Sequence, residues 1–499
     1  MNHHSMNATV PVVVARRTDR RFPGQRVLTA VAASVVLAGC ASTAIDQNYS
    51  SVQQLSQERL GAEVKWLTTD DARRQAQADV DALLAKPLGA DEAVRIALAY
   101  SPSLQAMLYE GAARSASATQ SARLPNPVFA FERLVRNEGG VRDLELTRAL
   151  SFSVLDLLLL PSRLRLADYQ QGASRLLLAT RVVGAATETR QAWVNAVAAQ
   201  QSLQYFQQVK ATADASSELA RRMQAVGNYS KLQRAREQAF AADAVAQLAR
   251  ATQARRSSRE TLIRALGLND QQALALKLPD RLPDLPGQPR HEALIATSAM
   301  EQRLDVRLAR ANLDFIAREQ GLTRITSVIN AFELGGVTKS ETGLARRDGY
   351  TLSVPLPLFD FGDARRAQAQ ATYMAAFNGT AQLAIDARSQ VREQYGAYRT
   401  AYDLARHYRD EIVPLRKTIA EENMLRYNGM LISVFELLAD SREQSASVVQ
   451  AIEVQRDFWL ADAALQAALI GKPLTSPSRD TGNGSAFPER RQPVGLLNP

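Results

Sequence analysis

The side chains that most often carry out catalysis or bind metals are few in this sequence. Only four histidines occur in 499 residues, and His3 and His4 lie at the extreme N-terminus. The other two, His291 and His407, are far apart and fall in segments whose pattern predicts helices. The sequence contains no glycine-rich phosphate loop, metal-ligand spacing or nucleophile motif. It therefore does not predict an enzyme, and we expect no cofactor or metal ion.

The single cysteine, Cys40, lies where a covalent modification would take place. An arginine-rich segment and an apolar run at residues 27–37 precede it, and the run is too short to span a bilayer. Leu37-Ala38-Gly39-Cys40 resembles the lipobox of bacterial lipoproteins. The resemblance implies that residues 1–39 are a signal peptide and that Cys40 carries a covalent lipid in the mature protein. Because Ala41 follows, it also implies sorting to the outer membrane. The alternative is a buried structural cysteine.

The segment at residues 350–369 joins a strand to a long helix. Tyr350, Leu352 and Val354 alternate with polar residues, as in a strand with one apolar face. Prolines then end the ladder because they have no amide N–H, and a Phe-Asp-Phe-Gly turn precedes the helix. Residues 150–167 predict a second transition of this kind. The residues assigned to the two turns are Pro161, Pro355, Pro357, Phe359, Asp360 and Gly362.

The two transitions indicate an internal duplication. Three pairs of residues are each separated by 202 positions: Leu150 and Leu352, Trp193 and Tyr395, and Gly227 and Gly429. The glycines that end the last helix of each half, Gly267 and Gly471, are separated by 204 positions. Each half is therefore expected to contain a strand hairpin followed by two long helices.

The predicted boundaries follow from these patterns. Residues 40–89 form an N-terminal periplasmic segment, 276–290 a proline-rich linker, and 472–499 a disordered tail. The first repeat, residues 90–275, has strands at about 128–135 and 144–154 and helices at 162–226 and 232–266. The second repeat, residues 291–471, has strands at about 327–334 and 350–356 and helices at 363–428 and 434–470. Heptad spacing predicts coiled-coil packing of the long helices, with a kink at Pro414.

The strand at 144–154 has the length of a tilted transmembrane strand. Apolar residues occupy one face, and Thr147, Ser151 and Ser153 occupy the other, which suits a water-filled lumen. A soluble, half-buried hairpin would show the same alternation. No run of about 18 apolar residues follows the N-terminal segment, so membrane insertion would require strands.

Residues 1–39 hold five arginines and one aspartate and so contribute +4 of the net charge of +9; the remaining +5 is spread along polar helix faces. No basic cluster is interleaved with aromatic residues, so the sequence does not predict nucleic-acid binding.

Residues 90–471 together resemble the TolC family of outer-membrane efflux proteins, in its lipoprotein branch. The resemblance rests on the lipobox, the doubled strand-to-helix transition and Arg303-Leu304-Asp305-Val306, where the family usually has proline in place of leucine. It implies a mainly α fold with membrane β-structure. Three chains would share a 12-stranded outer-membrane β-barrel, continued by a periplasmic α-helical barrel. The implied function is a passive exit duct for a tripartite efflux or type I secretion system.

The resemblance also implies partners and a gate. The partners are a periplasmic adaptor, an inner-membrane pump of the resistance-nodulation-division or ABC type, and outer-membrane lipid. The residues that match the family's periplasmic tip and gate are Gly227, Ser230, Tyr427, Gly429, Ser433, Glu436 and Asp440. Gly429 lies one residue closer to Tyr427 than in the family pattern. Glu436 would contribute to an acidic constriction; alternatively, Glu436 and Asp440 are ordinary solvated helix charges.

A second hypothesis is a lipid-anchored periplasmic coiled-coil scaffold or adaptor without a pore. Adaptors carry a compact lipoyl-type β domain between their helical arms, and nothing in this sequence resembles one. The sequence does not identify the transported substrate.

Overall fold

The computed structural model describes residues 45–291, 303–328 and 331–471. The predicted signal peptide, the lipidation site at Cys40 and the predicted tail at 472–499 lie outside these residues. In the first half the elements are α1 (residues 45–60), α2 (Asp70–Leu84), α3 (Ala90–Tyr100), α4 (Pro102–Ser121), β1 (Val128–Glu138), β2 (Val141–Ser153), α5 (Val154–Ala225), α6 (Lys231–Leu266) and α7 (Asp270–Ala275).

The second half repeats the hairpin and the long helices. Its elements are α8 (Leu304–Thr326), β3 (Glu333–Glu341), β4 (Arg347–Ser353), α9 (Asp363–His407), a π-helical turn (Tyr408–Ile412), α10 (Val413–Asn428) and α11 (Val434–Ile470). Among the described helices, none is both long and apolar enough to cross a bilayer.

The four strands form one antiparallel sheet in the order β1-β2-β3-β4. The hairpins of the two halves are joined through β2 and β3, where Leu150 pairs with Gly336. Alternation places Phe129, Leu150 and Tyr350 in one row of a mainly apolar face. The opposite face carries Thr147, Ser151 and Ser153, as expected from the sequence, together with several charged residues. Among the described residues, the outer edges of β1 and β4 pair with no further strand.

Two strand positions in the second half differ from the prediction. A strand was expected at about 327–334, but α8 continues to Thr326 and β3 spans Glu333–Glu341. Gly335 and Gly336 are residue types that favour loops, yet they lie in the ladder. A Cβ on Gly335 would lie 2.7 Å from Thr351 Oγ1, so glycine permits close packing of the strands. The strand expected at about 350–356 is β4 at Arg347–Ser353, which ends before Pro355.

The first hairpin is also tighter than expected. β1 continues to Glu138 and β2 begins at Val141, so only Gly139 and Gly140 form the turn. Both have positive φ, 57° and 82°, which a two-residue hairpin turn of type I′ requires.

The turn predicted at Pro161 is wrong, because Pro161 lies inside α5. The helix begins directly after β2 at Val154, where the Ser153 side chain accepts a hydrogen bond from the Asp156 amide at 3.2 Å. Leucines, which favour helices, occupy residues 157–160. The proline removes only the hydrogen bond to the Leu157 carbonyl, and Leu157 is exposed. Capping and helix propensity therefore outweigh the proline.

The proline-rich segment at 276–290, called the strap below, packs along the helices. Leu282 is buried against α3, α5 and α6, whereas Leu285 is buried against α9 and α11. Trp459 Nε1 donates to the Pro283 carbonyl at 3.0 Å, and the Tyr402 hydroxyl donates to the Pro286 carbonyl at 3.0 Å. The strap therefore fastens the helices of one half to those of the other.

Equivalent contacts in the two halves support the duplication. Trp193 Nε1 donates to the Leu88 carbonyl at 2.7 Å, and the Tyr395 hydroxyl donates to the Arg290 carbonyl at 3.3 Å. The two donors are 202 positions apart, and so are the two acceptors. At the helix ends, Gly267 packs against Ser101 and Pro102, and Gly471 packs against Leu304 and Asp305. Both glycines have a left-handed backbone, with φ values of 70° and 98°.

Beyond Trp193 and Tyr395, the separation of equivalent residues in the two halves increases from 202 to 203 positions. The π-helical turn at Tyr408–Ile412 accounts for the extra residue. Ser230 and Ser433, the residues that precede α6 and α11, are 203 positions apart. A π-helical turn holds one residue more than an α-helical turn. It ends two residues before Pro414, which has no N–H for an α-helical bond. The irregularity expected at Pro414 therefore takes the form of this wider turn.

Candidate functional site at the helical tips

Each pair of long helices is joined by a short turn, at the helix ends that are most distant in sequence from the strands. The first tip comprises residues 226–230 between α5 and α6, and the second tip comprises residues 429–433 between α10 and α11. All seven residues predicted for the tip and gate lie in these turns or in the adjoining helix ends.

In the first tip the predicted residues have clear structural roles. Gly227 has φ 79°, and the Asn228 amide donates to the Met223 carbonyl at 2.9 Å, which closes the end of α5. Ser230 begins α6 with a capping box. Its hydroxyl accepts from the Gln233 amide at 3.2 Å, and its own amide donates to Gln233 Oε1 at 2.7 Å. These bonds define a rigid turn.

The second tip differs in which residue adopts the left-handed conformation. Gly429 was expected to correspond to Gly227, but its φ is −80°, and Met430 has φ 57°. The Leu431 amide bonds to the Arg426 carbonyl at 2.8 Å, which makes Met430 the equivalent of Gly227. The pairing of Gly227 with Gly429 is therefore wrong by one residue. A left-handed non-glycine residue costs about 1 kcal/mol, and Met430 is 93% exposed.

The remaining predicted residues do not converge within one chain. Ser433 precedes α11, but its side chain makes no capping hydrogen bond. Glu436 is exposed in the first turn of α11, where the helix dipole favours a negative charge. Asp440 instead accepts a hydrogen bond from Asn423 on α10. Tyr427 is 39% exposed at the end of α10.

A cluster that the sequence did not indicate connects the two helical hairpins near the tips. Glu237 on α6 is buried, and Arg442 on α11 forms an ion pair with it. The Ser216 hydroxyl on α5 donates to the second oxygen of this carboxylate. The Arg442 guanidinium also stacks on the Phe240 ring, 4.4 Å from its centroid. The two charges are 205 residues apart, so no local pattern could have identified the pair.

Tyr229, a residue of the first tip, lies close to this cluster. Burial raises the pKa of its hydroxyl, and the nearby Glu237 carboxylate and Tyr427 hydroxyl raise the pKa further, whereas Arg442 opposes the shift. Tyr229 therefore remains a neutral phenol at physiological pH. The Glu237–Arg442 cluster joins the hairpin of the first half to that of the second half.

A second buried charge lies at the other end of the second hairpin. Arg303 is fully buried and donates two hydrogen bonds to Asp305, at 3.0 and 2.6 Å. It also donates to the carbonyls of Ala387 and Ala468 on α9 and α11 and to Gln390 Oε1. The Arg303-Leu304-Asp305 sequence therefore fixes the start of α8 against both long helices, which is a structural role.

Comparison with known proteins defines the class of the fold. Neither a family model nor a curated protein matches the sequence. Solved structures match it closely in fold. The Campylobacter jejuni CmeC outer membrane channel is 16% identical, with a TM-score of 0.62, over 79% of this chain and 85% of that chain. The open state of the Neisseria gonorrhoeae MtrE outer membrane channel is 18% identical, with a TM-score of 0.63, over 76% and 88%.

A membrane protein from Pseudomonas aeruginosa matches equally well. It is 20% identical, with a TM-score of 0.63, over 76% of this chain and 93% of that chain. The chain therefore has the fold of outer-membrane channels. The fold is TolC-like, which confirms the resemblance found in the sequence.

Proposed function

We propose that this protein is the outer-membrane duct of a tripartite efflux or type I secretion system. Three chains would form a barrel of twelve strands in the outer membrane and a helical tube across the periplasm. Substrates would pass through this tube passively, driven by an inner-membrane pump that is reached through a periplasmic adaptor. Cys40 would carry the lipid anchor.

The observation that carries this proposal is the sheet with two open edges. Within the part of the chain that the structure describes it has four strands, whereas closing a barrel takes about eight. Unpaired backbone groups at the edges of β1 and β4 would be prohibitively costly in lipid, because no water is present to bond them. Pairing β4 of one chain with β1 of the next removes both edges and closes a ring. Three chains give a barrel large enough for a lumen.

The two faces of the sheet support the same arrangement. The apolar face, with Phe129, Leu150 and Phe152, suits contact with acyl chains. The polar face carries both charges, including Glu132, Glu145 and Lys339, as a water-filled passage requires. Charged residues interrupt the apolar face at Arg133, Arg148 and Asp348. Arg148 pairs with Phe131 and Thr338 on the neighbouring strands.

The helical tips suit the adaptor and the entrance. The second tip carries exposed apolar side chains. Among them, Met430 is 93% exposed and Leu431 is 77% exposed. Exposed apolar groups of this size favour a protein partner. Closure at rest would rely on contacts between hairpins near the tips, to which the Glu237–Arg442 cluster contributes in each chain.

Cysteine accessibility tests the membrane arrangement. Thr147→Cys and Leu146→Cys place a thiol on the polar and the apolar face at adjacent positions of β2. In the full chain reconstituted into bilayers, a water-soluble, membrane-impermeant maleimide should label position 147 and leave position 146 unmodified. Equal labelling at both positions would place the sheet in water and favour a scaffold without a pore. Protection of both would exclude a water-filled lumen.

A further inference from the structure

An exposed apolar surface lies just beyond the helix-facing end of the sheet. We call it the collar and define it by Leu157, Leu158, Ile325, Leu356, Phe359 and Phe361. Each of these side chains is at least half exposed, and Phe359 is 98% exposed. Exposed aromatic and aliphatic side chains that are adjacent in this way mark an interaction surface.

Specific contacts hold the collar loop in its shape. Asp360 accepts from the Gly362 amide at 2.8 Å and from Arg365 at 2.5 Å. Gly362 has φ 72°, and a Cβ there would lie 2.3 Å from the Ser327 carbonyl oxygen. Arg366 donates to both Ser327 Oγ and the Phe361 carbonyl at 3.0 Å. Phe359 and Phe361 are thus held outward by a bonded turn.

The collar is continuous with the apolar face of the sheet. The last apolar row of the sheet pairs Phe152 with Leu334 and Leu334 with Leu352. Val154 and Val354 follow within two residues of this row and lead into the collar segments. Because neighbouring strands are about 4.8 Å apart, the segments that follow β2 and β4 begin only about 10 Å from each other.

Basic side chains border the collar on the side of the helices. Residues 154–166, 322–328 and 354–366 contain five arginines and three aspartates, with no lysine or glutamate. The arginines are Arg163, Arg165, Arg324, Arg365 and Arg366. Arg163 and Arg365 form ion pairs with Asp156 and Asp360, whereas Arg165 and Arg324 are exposed at the helix surface. Guanidinium groups at the border of an apolar surface match the phosphates of a phospholipid leaflet.

We infer that the collar is inserted into the periplasmic leaflet of the outer membrane, with the arginines at the level of the phospholipid phosphates. This inference rests on the proposed function and extends it. A second copy of the chain would have to supply acidic groups opposite Arg165 and Arg324, whereas the leaflet supplies phosphates directly beneath its acyl chains. The collar, rather than the last strand residue, would then mark the depth at which the protein leaves the membrane.

Spin labels test the depth of the collar. Phe359→Cys, Tyr350→Cys and Leu431→Cys, each in the full chain, are labelled with a nitroxide and reconstituted into nanodiscs of phosphatidylethanolamine and phosphatidylglycerol. Cys40 is the only natural cysteine, so the unsubstituted chain measures the background. Position 350 reports the sheet, and position 431 reports the helical tip. The ratio of oxygen to nickel-chelate accessibility at 359 should be close to that at 350 and several-fold above that at 431.

The other outcomes separate this inference from the proposed function. A lipid-like ratio at 350 with a water-like ratio at 359 overturns the collar and leaves the membrane sheet intact. An immobilised label at 359 that neither reagent reaches would show coverage by a second chain, and it also overturns the inference. Water-like ratios at both 350 and 359 would contradict the proposed function itself.

The arginines are tested through bound lipid. The Arg165→Gln/Arg324→Gln double variant should retain several-fold less phosphatidylglycerol after detergent extraction, measured by native mass spectrometry. Arg221→Gln, an exposed change in α5 close to the first tip, is the matched control and should retain the normal amount. Equal retention by both variants would overturn the placement of these arginines at the phosphates.

Discussion

Individual side chains decide how firmly the two hairpins of one chain are held together near the tips. Glu237 and Arg442 are the described ion pair that connects α6 to α11. Because the carboxylate is buried, its cost of dehydration is offset only while the guanidinium and the Ser216 hydroxyl remain in place. The contact is therefore sensitive to the loss of either charge.

Arg442→Met should destabilise the tips by about 3 kcal/mol, because it leaves a buried carboxylate without its cation. Hydrogen exchange of residues 231–245 measures this as a lower free energy of local opening. Adding Glu237→Gln should recover part of the loss. The control Arg221→Met breaks an ion pair with Glu218 in which both side chains are largely exposed, and it should change opening very little. An equal effect of the two single variants would contradict a special role for the buried pair.

The carboxyl group of Glu218 gives a pH-dependent contribution at the end of α5. Hydrogen bonds from Arg221 and Arg222 lower its pKa from 4.5 to about 2. Because the folded pKa is lowered, its stabilisation is fully present above pH 4.5 and is lost as the pH falls through about 2. Because the carboxylate is exposed, the stability difference between the unsubstituted protein and Glu218→Gln should be small; it should be constant above that range and disappear toward pH 2. Thermal unfolding in detergent across this range measures it. A difference that persisted at pH 2 would contradict the pairing.

Among the elements, the long helix of the second half owes its register to the π-helical turn. One extra residue lies between Tyr395 and the second tip compared with the first half, and Tyr408–Ile412 absorbs it. The tip residues thereby keep the same rotational position as in the first half.

Deleting Arg409 should convert the π-helical turn into α-helix and leave the tip in place. Deleting Gln207, the position 202 residues earlier in α5, removes a residue from a regular helix and should rotate the first tip by about 100°. Because both side chains are exposed, neither deletion removes a buried side chain, and the two variants differ mainly in helix register. Limited proteolysis of the tips should show a native pattern for the first deletion and rapid cleavage for the second. Equal tolerance of both deletions would refute the assignment of the extra residue.

How well each element could be predicted depended on how local its signals are. The helices expected at 232–266 and 434–470 are found at Lys231–Leu266 and Val434–Ile470, because a serine directly precedes each helix and a glycine follows its last residue. The strand at Glu333–Glu341 was missed because Gly335-Gly336 suggests a loop unless the neighbouring strand is known. Pro161 was given too much weight as a helix breaker. The Glu237–Arg442 pair has no local signal, since it depends on the packing of two hairpins.

For the whole molecule, the central feature is a sheet that cannot satisfy its own edges. In the described residues, four strands, an apolar and a polar face, and two open edges fit one part of the closed barrel proposed above. The strap at 276–290 holds the two halves of each chain together through Leu282 and Leu285. In the proposed tube each chain would be a preassembled third, and assembly would require only that the β1 and β4 edges of neighbouring chains meet.

Native mass spectrometry of the mature, membrane-extracted protein in detergent tests this account most directly. It predicts three copies of the chain, each beginning at Cys40 and carrying the mass of a covalent lipid. A trimer without the lipid mass would be consistent with the shared barrel but would refute the lipid anchor at Cys40. A lipidated monomer that persists across detergents would contradict the central claim, because four strands cannot close a pore alone.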